Sequence, residues 1–357
     1  MSRLALLLTL SAVVSFLLTA WVTRRADVLR LVQTPNERSS HEQPTPSSGG
    51  VGIVFATTAV GGLFVWEHPH LLWGVLGLAI PVALIGLLDD IHYLSIRIRI
   101  LVQTAVFAAL LVLMGEMPPL VLFGEISLEG AVLGVIMLIS AVWWINLFNF
   151  MDGIDGIAGS QAVAMLLLGA ALATWSSAGA TNSPIWILML CIVTATLGFL
   201  ILNWAPAKIF MGDVGSNWLA FTIFAIAILT IRAGWLSYSA WLVLAALFIT
   251  DATVTLLTRM TRGERWYEAH RSHAYQRLSR HWRDDRSKGH RSVTLLATAI
   301  NILWLGPLAW ACLLSPHWTL IWLPMAYLPL ILGAIVLGAG KPDNIGMPKT
   351  SQPHSQV

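Results

Sequence analysis

Charge is scarce in this chain. Only 11% of its 357 residues are Asp, Glu, Lys or Arg, against roughly a quarter in a soluble domain, which excludes an ordinary water-soluble fold. Cysteine is scarcer still: Cys191 and Cys312 are the only two, both inside apolar runs, so they read as buried thiols rather than as a disulfide framework. Strict in-out alternation over segments of about ten residues, the mark of a membrane β-barrel, is missing from runs such as LLWGVLGLAIPVALIGLL. An internal repeat and a separate soluble domain are missing too. The first apolar run lacks a small-residue cleavage site before WVTRR, so it is expected to stay as a first helix and not to be removed as a leader.

Hydrophobic residues make up 57% of the chain. Stretches of the length that crosses a bilayer as a helix fall at 4–22, 49–66, 70–88, 99–114, 130–148, 158–176, 184–202, 215–231, 237–258, 293–314 and 317–338. The expected fold is therefore an all-α integral membrane protein, a bundle of about eleven transmembrane helices. Basic residues mark the cytoplasmic side of such a bundle. With the N-terminus outside and the C-terminus cytoplasmic, all of the 21 Lys and Arg residues except Arg3 and Arg232 fall inside. Residues 1–338 then form one polytopic catalytic domain with cytoplasmic loops at 23–48, 89–98, 149–157, 203–214 and 259–292. Residues 339–357, polar with scattered Pro and Gly, are expected to be a disordered cytoplasmic tail.

Four polar motifs fall on that same face. Asp89 and Asp90 end a run that reads VALIGLLDD; two adjacent carboxylates at a membrane border repel each other and are costly to desolvate without a cation or donors, although an ordinary hydrophilic helix end would look the same. Asn149, Asp152 and Asp155, three residues apart in NFMDGIDGIAGSQ, would share a helix face or converge in a glycine-interrupted turn, where the alternative is a solvated turn. In NWAPAKIFMGDVGS, Asp213 precedes a span, and a helix N-terminus suits phosphate and Mg²⁺. Phe210, in the same stretch, could stack on a base or anchor the membrane edge. In HRSHAYQRL, a helix would place His270, His273 and Arg277 on one face as donors for anionic oxygens; anchoring to anionic lipid is the plainer reading of that loop's other arginines. Acids suited to Mg²⁺ and bases suited to phosphates, gathered on one face, are what a nucleotide diphosphate meeting a lipid substrate requires.

Together LLDD, NFMDGIDGIAGSQ, the Asn203 to Asp213 spacing, PNERSSHEQPTPSSGG and HRSHAYQRL resemble the polyprenyl-phosphate N-acetylhexosamine-1-phosphate transferases, glycosyltransferase family 4. In order and spacing the likeness runs from about residue 33 to 290, and HAYQRL without three consecutive histidines is closer to the O-antigen and enterobacterial initiating enzymes than to the peptidoglycan enzyme. The resemblance implies an eleven-helix, N-out enzyme of the bacterial inner membrane with its active site facing the cytoplasm. It would transfer a sugar phosphate from a UDP-N-acetylhexosamine to undecaprenyl phosphate, with Mg²⁺ or Mn²⁺ as cofactor, no nucleic acid partner, and a homodimer left open. It also implies Asp213 as metal ligand, Asp89 and Asp90 at the prenyl phosphate or the metal, and Asn149, Asp152, Asp155 and Asn203 around the nucleotide. Phe210 would lie on the uracil, His270, His273 and Arg277 on the diphosphate, and Arg99 at a basic position of the family. One departure is plain: Ser47 and Ser48 stand where the family commonly has Arg or Lys after PTP, so Arg38 or His41 would have to supply that cation.

Two other classes share part of the pattern. A UbiA-like prenyltransferase uses aspartate-rich loops and Mg²⁺ but has no need of Phe210 beside MGD. A secondary transporter favours charges at the bilayer midplane in two matching halves, and only Asp251 lies clearly within a span here, near its cytoplasmic end.

Overall fold

The computed structural model describes residues 3–34, 44–65, 70–122, 126–265, 270–282 and 286–342. In chain order its helices are α1 (Arg3–Leu29), α2 (Val51–Ala56), α3 (Gly62–Val65), α4 (His70–His92), α5 (Ile96–Met114), α6 (Gly130–Phe150), α7 (Ile157–Ser176), α8 (Pro184–Asn203), α9 (Gly212–Arg232), α10 (Tyr238–Leu244), α11 (Ala246–Thr261), α12 (Ala274–His281), α13 (Arg286–Ile300), α14 (Gly306–Leu314) and α15 (Thr319–Val336). Wider π-turns join α2 to α3 and α13 to α14. Two short antiparallel hairpins pair Val32–Gln33 (β1) with Thr45–Pro46 (β2) and Leu120–Leu122 (β3) with Ile126–Leu128 (β4). This is an all-α protein of membrane-length helices.

Among the described residues, nine helices are long and apolar enough to cross a bilayer, or ten if α10 and α11 count as one span. The tenth case corrects the run at 237–258: α10 and α11 meet at 69°. The run at 49–66 becomes the shorter α2, π-turn and α3. The helices also reach further into the expected loops than the apolar runs do. α1 continues to Leu29, Asp89 and Asp90 lie in the last turns of α4, and Asn149 and Asn203 belong to α6 and α8. At the C-terminal end, Ala339 is buried and the Gly340 N–H donates to the Ser272 carbonyl at 2.8 Å, so residues 339 and 340 are packed, while 343–357 lie outside the described residues.

Local chemistry sets the ends that matter. Ser95 caps α5 by accepting from the Ile98 N–H at 3.4 Å, and Ser183 followed by Pro184 opens α8, both familiar N-terminal signals. α9 runs through the centre of the bundle, buried without interruption from Val214 to Ile223, with α4 and α6 packed on it. Its N-terminus is therefore held deep among other helix ends. Gly212 begins it at φ +75°, where a Cβ would collide with Asp90 Oδ2 and Ser48; only glycine accepts both constraints.

Candidate active site

The N-terminus of α9, the C-terminal turn of α4 and the first turn of α5 meet at one point. Segment 46–50 laces onto it: Phe210 N–H donates to the Pro46 carbonyl at 2.8 Å, and Gly49 and Gly50 N–H groups donate to the Phe210 and Met211 carbonyls at 2.9 Å. Asp90 closes the joint. Its Oδ1 accepts from the Asp213 N–H at 2.8 Å, and its Oδ2 accepts from Ser48 Oγ at 2.7 Å and the Val214 N–H at 3.4 Å. Both oxygens are thus engaged in capping α9, where a carboxylate is favoured by the helix dipole. Asp90 was expected at the lipid phosphate or the metal; the structure makes it a cap. Ser48 takes part as a hydroxyl donor to that cap, not as a cation, and the Arg38 and His41 suggested to replace it lie outside the described residues.

Asp89 points into a different contact. Its Oδ1 accepts from the Leu94 N–H at 2.6 Å, and its Oδ2 pairs with Arg99 Nη1 at 2.5 Å. The same Arg99 nitrogen lies 3.4 Å from Asp213 Oδ2, so one guanidinium bridges the two acids. Arg99 Nε is buried with no hydrogen-bond partner among the described residues, so the guanidinium keeps donor capacity beyond its two acids. Asp213 Oδ1 accepts from Asn149 Nδ2 at 2.9 Å, and that amide nitrogen also donates to Ser216 Oγ at 2.9 Å, whose hydroxyl donates to the Gly212 carbonyl. Ser216 thereby fixes which way Asn149 faces, a role that nothing in the sequence reading singled out.

Asp152 stands in the turn between α6 and α7 and makes no ion pair among the described residues. Burial pushes its carboxyl well above the usual carboxylate range, and the charges of Asp213, Asp90 and Asp155 push the same way. Acids that repel each other across a buried space are a setting for a cation. Among the described residues no three His, Cys, Asp or Glu side chains converge as a metal cage. Mg²⁺ takes one or two carboxylates and completes its shell with water and phosphate oxygens, and the Asp152 and Asp213 carboxylates are oxygen donors of that kind. Hard oxygen donors without nearby thiols do not suit zinc.

Other expected residues prove to be braces. Asp155 Oδ2 accepts from the Ala207 N–H at 3.0 Å, its Oδ1 lies 3.3 Å from His290 Nδ1, and its carbonyl accepts from Thr294 Oγ1. Asn203, 3% exposed, accepts from the Gly156 N–H and donates to the Ile209 carbonyl. Both hold the turns in place. Phe210 is half-buried beside the site on a loop whose backbone is pinned to Pro46.

The basic loop is organised differently from a single helical face. α12 starts only at Ala274 with His273 as its cap, so His270 lies before the helix. The two rings nevertheless stack, with centroids 4.8 Å apart. His270 is held neutral: burial, then the nearby His273 and Arg259, push it down to about 3. Arg277 leaves the pair altogether, donating from Nε to the Leu337 carbonyl at 2.7 Å and from Nη1 to the Lys341 carbonyl at 3.0 Å. It clasps the end of α15 where a grip on diphosphate was expected.

Helix ends that gather acids and a guanidinium inside a bundle of membrane-length helices define a polar site built into an integral membrane protein. The sequence pattern of glycosyl transferase family 4 matches residues 72–231, which hold Asp89, Asp90, Arg99, Asn149, Asp152 and Asp213. Relatives extend the likeness over most of the chain. A probable undecaprenyl-phosphate N-acetylglucosaminyl 1-phosphate transferase of Bacillus subtilis is 28% identical over 78% of each chain. The undecaprenyl-phosphate alpha-N-acetylglucosaminyl 1-phosphate transferase of Escherichia coli K12 is 29% identical over 70% of this chain and 69% of its own. A decaprenyl-phosphate N-acetylglucosaminephosphotransferase of Mycobacterium tuberculosis is 28% identical over 94% and 87%. Over most of its length the chain is thus similar to polyprenyl-phosphate N-acetylglucosamine-1-phosphate transferases.

Proposed function

We propose that the protein transfers N-acetylhexosamine-1-phosphate from a UDP-sugar to undecaprenyl phosphate, releasing UMP and starting the assembly of O-antigen or another surface polysaccharide. The relatives' names support a polyprenyl phosphate acceptor and an N-acetylglucosaminyl 1-phosphate group. The observation that carries the reading is the cluster at α9: Arg99 with a donor to spare beside Asp213 and the unpaired Asp152. Arginine is suited to phosphate oxygens. The distribution of Lys and Arg supports an N-out, C-in arrangement with this cluster on the cytoplasmic side of a bacterial inner membrane.

A phosphate monoester has a second pKa of about 6, so the lipid phosphate is already mostly dianionic at neutral pH and no strong base is needed. One of its oxygens attacks the sugar-bearing β-phosphorus in line; the bond from that phosphorus to the bridging oxygen breaks, and UMP leaves. Asp89 and Asp213 orient the Arg99 guanidinium, which receives a phosphate oxygen as charge shifts to the leaving group. Asn149 and Ser216 hold Asp213 in register. Asp213 and Asp152 are the residues that would hold Mg²⁺, which when bound neutralises charge across the diphosphate.

The test is direct. Purified protein is incubated with Mg²⁺, undecaprenyl phosphate and a panel of UDP-N-acetylhexosamines, and UMP is measured. Release that depends on the lipid and is abolished in Asp213→Asn is expected. No release with any sugar, or equal release from wild type and Asp213→Asn, overturns the reading.

A further inference from the structure

The site leaves one buried acid unused. Asp251, 6% exposed, belongs to α11. Its Oδ1 accepts from the Ala274 N–H at 2.9 Å and Thr255 Oγ1 at 3.1 Å and lies 3.3 Å from His273 Nδ1; its Oδ2 accepts from the Tyr275 N–H at 2.9 Å. A carboxylate has about four acceptor sites. Three donor groups gather on Oδ1 and one on Oδ2, so both oxygens are engaged inside the protein. It does for α12 what a capping residue does, from another helix.

What hangs on this cap leads back to the site. With His273 Nδ1 turned to Asp251, the ring is fixed in a stack between His270, 4.8 Å away, and Tyr275, 5.6 Å away. The Tyr275 hydroxyl donates to the Phe150 carbonyl at 3.1 Å. Gly153 sits so close to Tyr275 Oη and Gln276 Nε2 that no Cβ would fit between them. The start of α12 is therefore seated on the turn that carries Asp152. A second contact, the Gln276 side chain accepting from the His273 N–H at 3.3 Å, stiffens that start.

We propose that Asp251 is a positioning residue for the transfer reaction, acting through the first turn of α12 and Tyr275 to set the 150–153 turn, and with it Asp152, against Asp213. The proposal rests on the transferase reading above. Its test uses the full-length protein in detergent and compares wild type, Asp251→Asn, Tyr275→Phe and the double variant. Steady-state UMP release, thermal unfolding and deuterium uptake are measured.

For Asp251→Asn, kcat is expected to fall by about tenfold or more, as for a misplaced catalytic group, while KM for the UDP-sugar stays within about threefold. Deuterium uptake rises in 150–156 and in 270–281, and the other helices keep their protection. Tyr275→Phe removes the hydroxyl's ties to the Phe150 and Gly153 backbone and lowers kcat in the same direction. The double variant loses no more than Asp251→Asn alone, because both act through one contact. Full activity in a folded Asp251→Asn, losses that multiply in the double variant, or uptake that rises throughout the bundle would each overturn the proposal. If Asp251→Asn does not fold, Tyr275→Phe decides by the same kcat and uptake criteria. A wild type inactive toward every sugar sinks the transferase reading, and the uptake comparison still shows whether Asp251 holds the 150–156 turn.

Discussion

Arg99→Met keeps the length and apolar stem of the side chain while removing the charge that bridges two acids. The guanidinium lies 2.5 Å from Asp89 and 3.4 Å from Asp213. At an effective dielectric of about 20, a pair at that longer distance attracts by about 5 kcal/mol before desolvation is counted. Breaking a buried pair from one side costs about 3–5 kcal/mol. The Arg99 side chain is 20% exposed, and solvent screening brings the expected cost to about 2–3 kcal/mol. The variant should therefore unfold earlier than wild type when no divalent cation is present. Its uncompensated acids should also favour a cation more strongly, with a Mg²⁺ midpoint about tenfold lower, equal to about 1.4 kcal/mol of added linkage. Thermal unfolding followed across a Mg²⁺ titration at constant ionic strength measures both quantities. UMP release should fall by roughly 10²-fold or more, the scale of losing one preorganised donor to developing charge. The same midpoint and the same stabilisation in both proteins would show that the cation does not share its carboxylates with Arg99.

Three further outcomes follow from the same contacts. Asp90→Ala removes the acceptors for two α9 N–H groups and should cost about 1–2 kcal/mol of stability, whereas Asp213→Asn should abolish transfer while melting close to wild type; unfolding curves and UMP assays in parallel separate the two. His270 has a folded value near 3, below its ordinary 6.5, so the unfolded chain binds the proton first as pH falls. Its contribution is complete above about 6.5 and is lost on acidification between about 6.5 and 3, by less than 1.4 kcal/mol per unit because the ring is only partly buried. His270→Gln should flatten the fall in melting temperature between about pH 7 and pH 5, and parallel curves for the two proteins would contradict this. Arg277→Ala frees the carbonyls of Leu337 and Lys341; it should raise deuterium uptake at 334–342 and leave KM for the UDP-sugar within about threefold, where a diphosphate ligand would raise it by tenfold or more.

The apolar runs were readable because bilayer thickness dictates their length. The bend at Ala245 was not, since WLVLAALFIT offers neither Pro nor Gly at the break. It is sustained from elsewhere: Gln161 Nε2 on α7 donates to the Leu244 carbonyl at 3.3 Å, and Asn301 in the π-turn donates to Gln161 Oε1 at 2.7 Å. Scarcity made the aspartates conspicuous, but their roles depended on packing. Adjacent in sequence, Asp89 and Asp90 point to different partners, one to Arg99 and one to the α9 N–H groups. The histidine loop was misjudged for a similar reason. A helix through 270–277 would align His270, His273 and Arg277, yet α12 begins at Ala274 because Asp251, 23 residues earlier in the chain, accepts its first N–H.

Placing Asp89, Asp90, Asp152 and Asp213 together at the edge of a bilayer would be prohibitive if each had to be compensated alone. The helix arrangement divides the burden. The N-terminus of α9 satisfies Asp90 through backbone N–H groups and its dipole, while Arg99 serves Asp89 and reaches Asp213 at longer range. Asp152 receives neither benefit, and burial alone already raises it. The uncompensated charge is thus concentrated between Asp152 and Asp213, beside the Arg99 guanidinium. On the proposed transferase reading, a magnesium diphosphate would bring the complementary pair of charges, a cation for the two acids and phosphate oxygens for the guanidinium, so the same concentration of charge would favour that ligand.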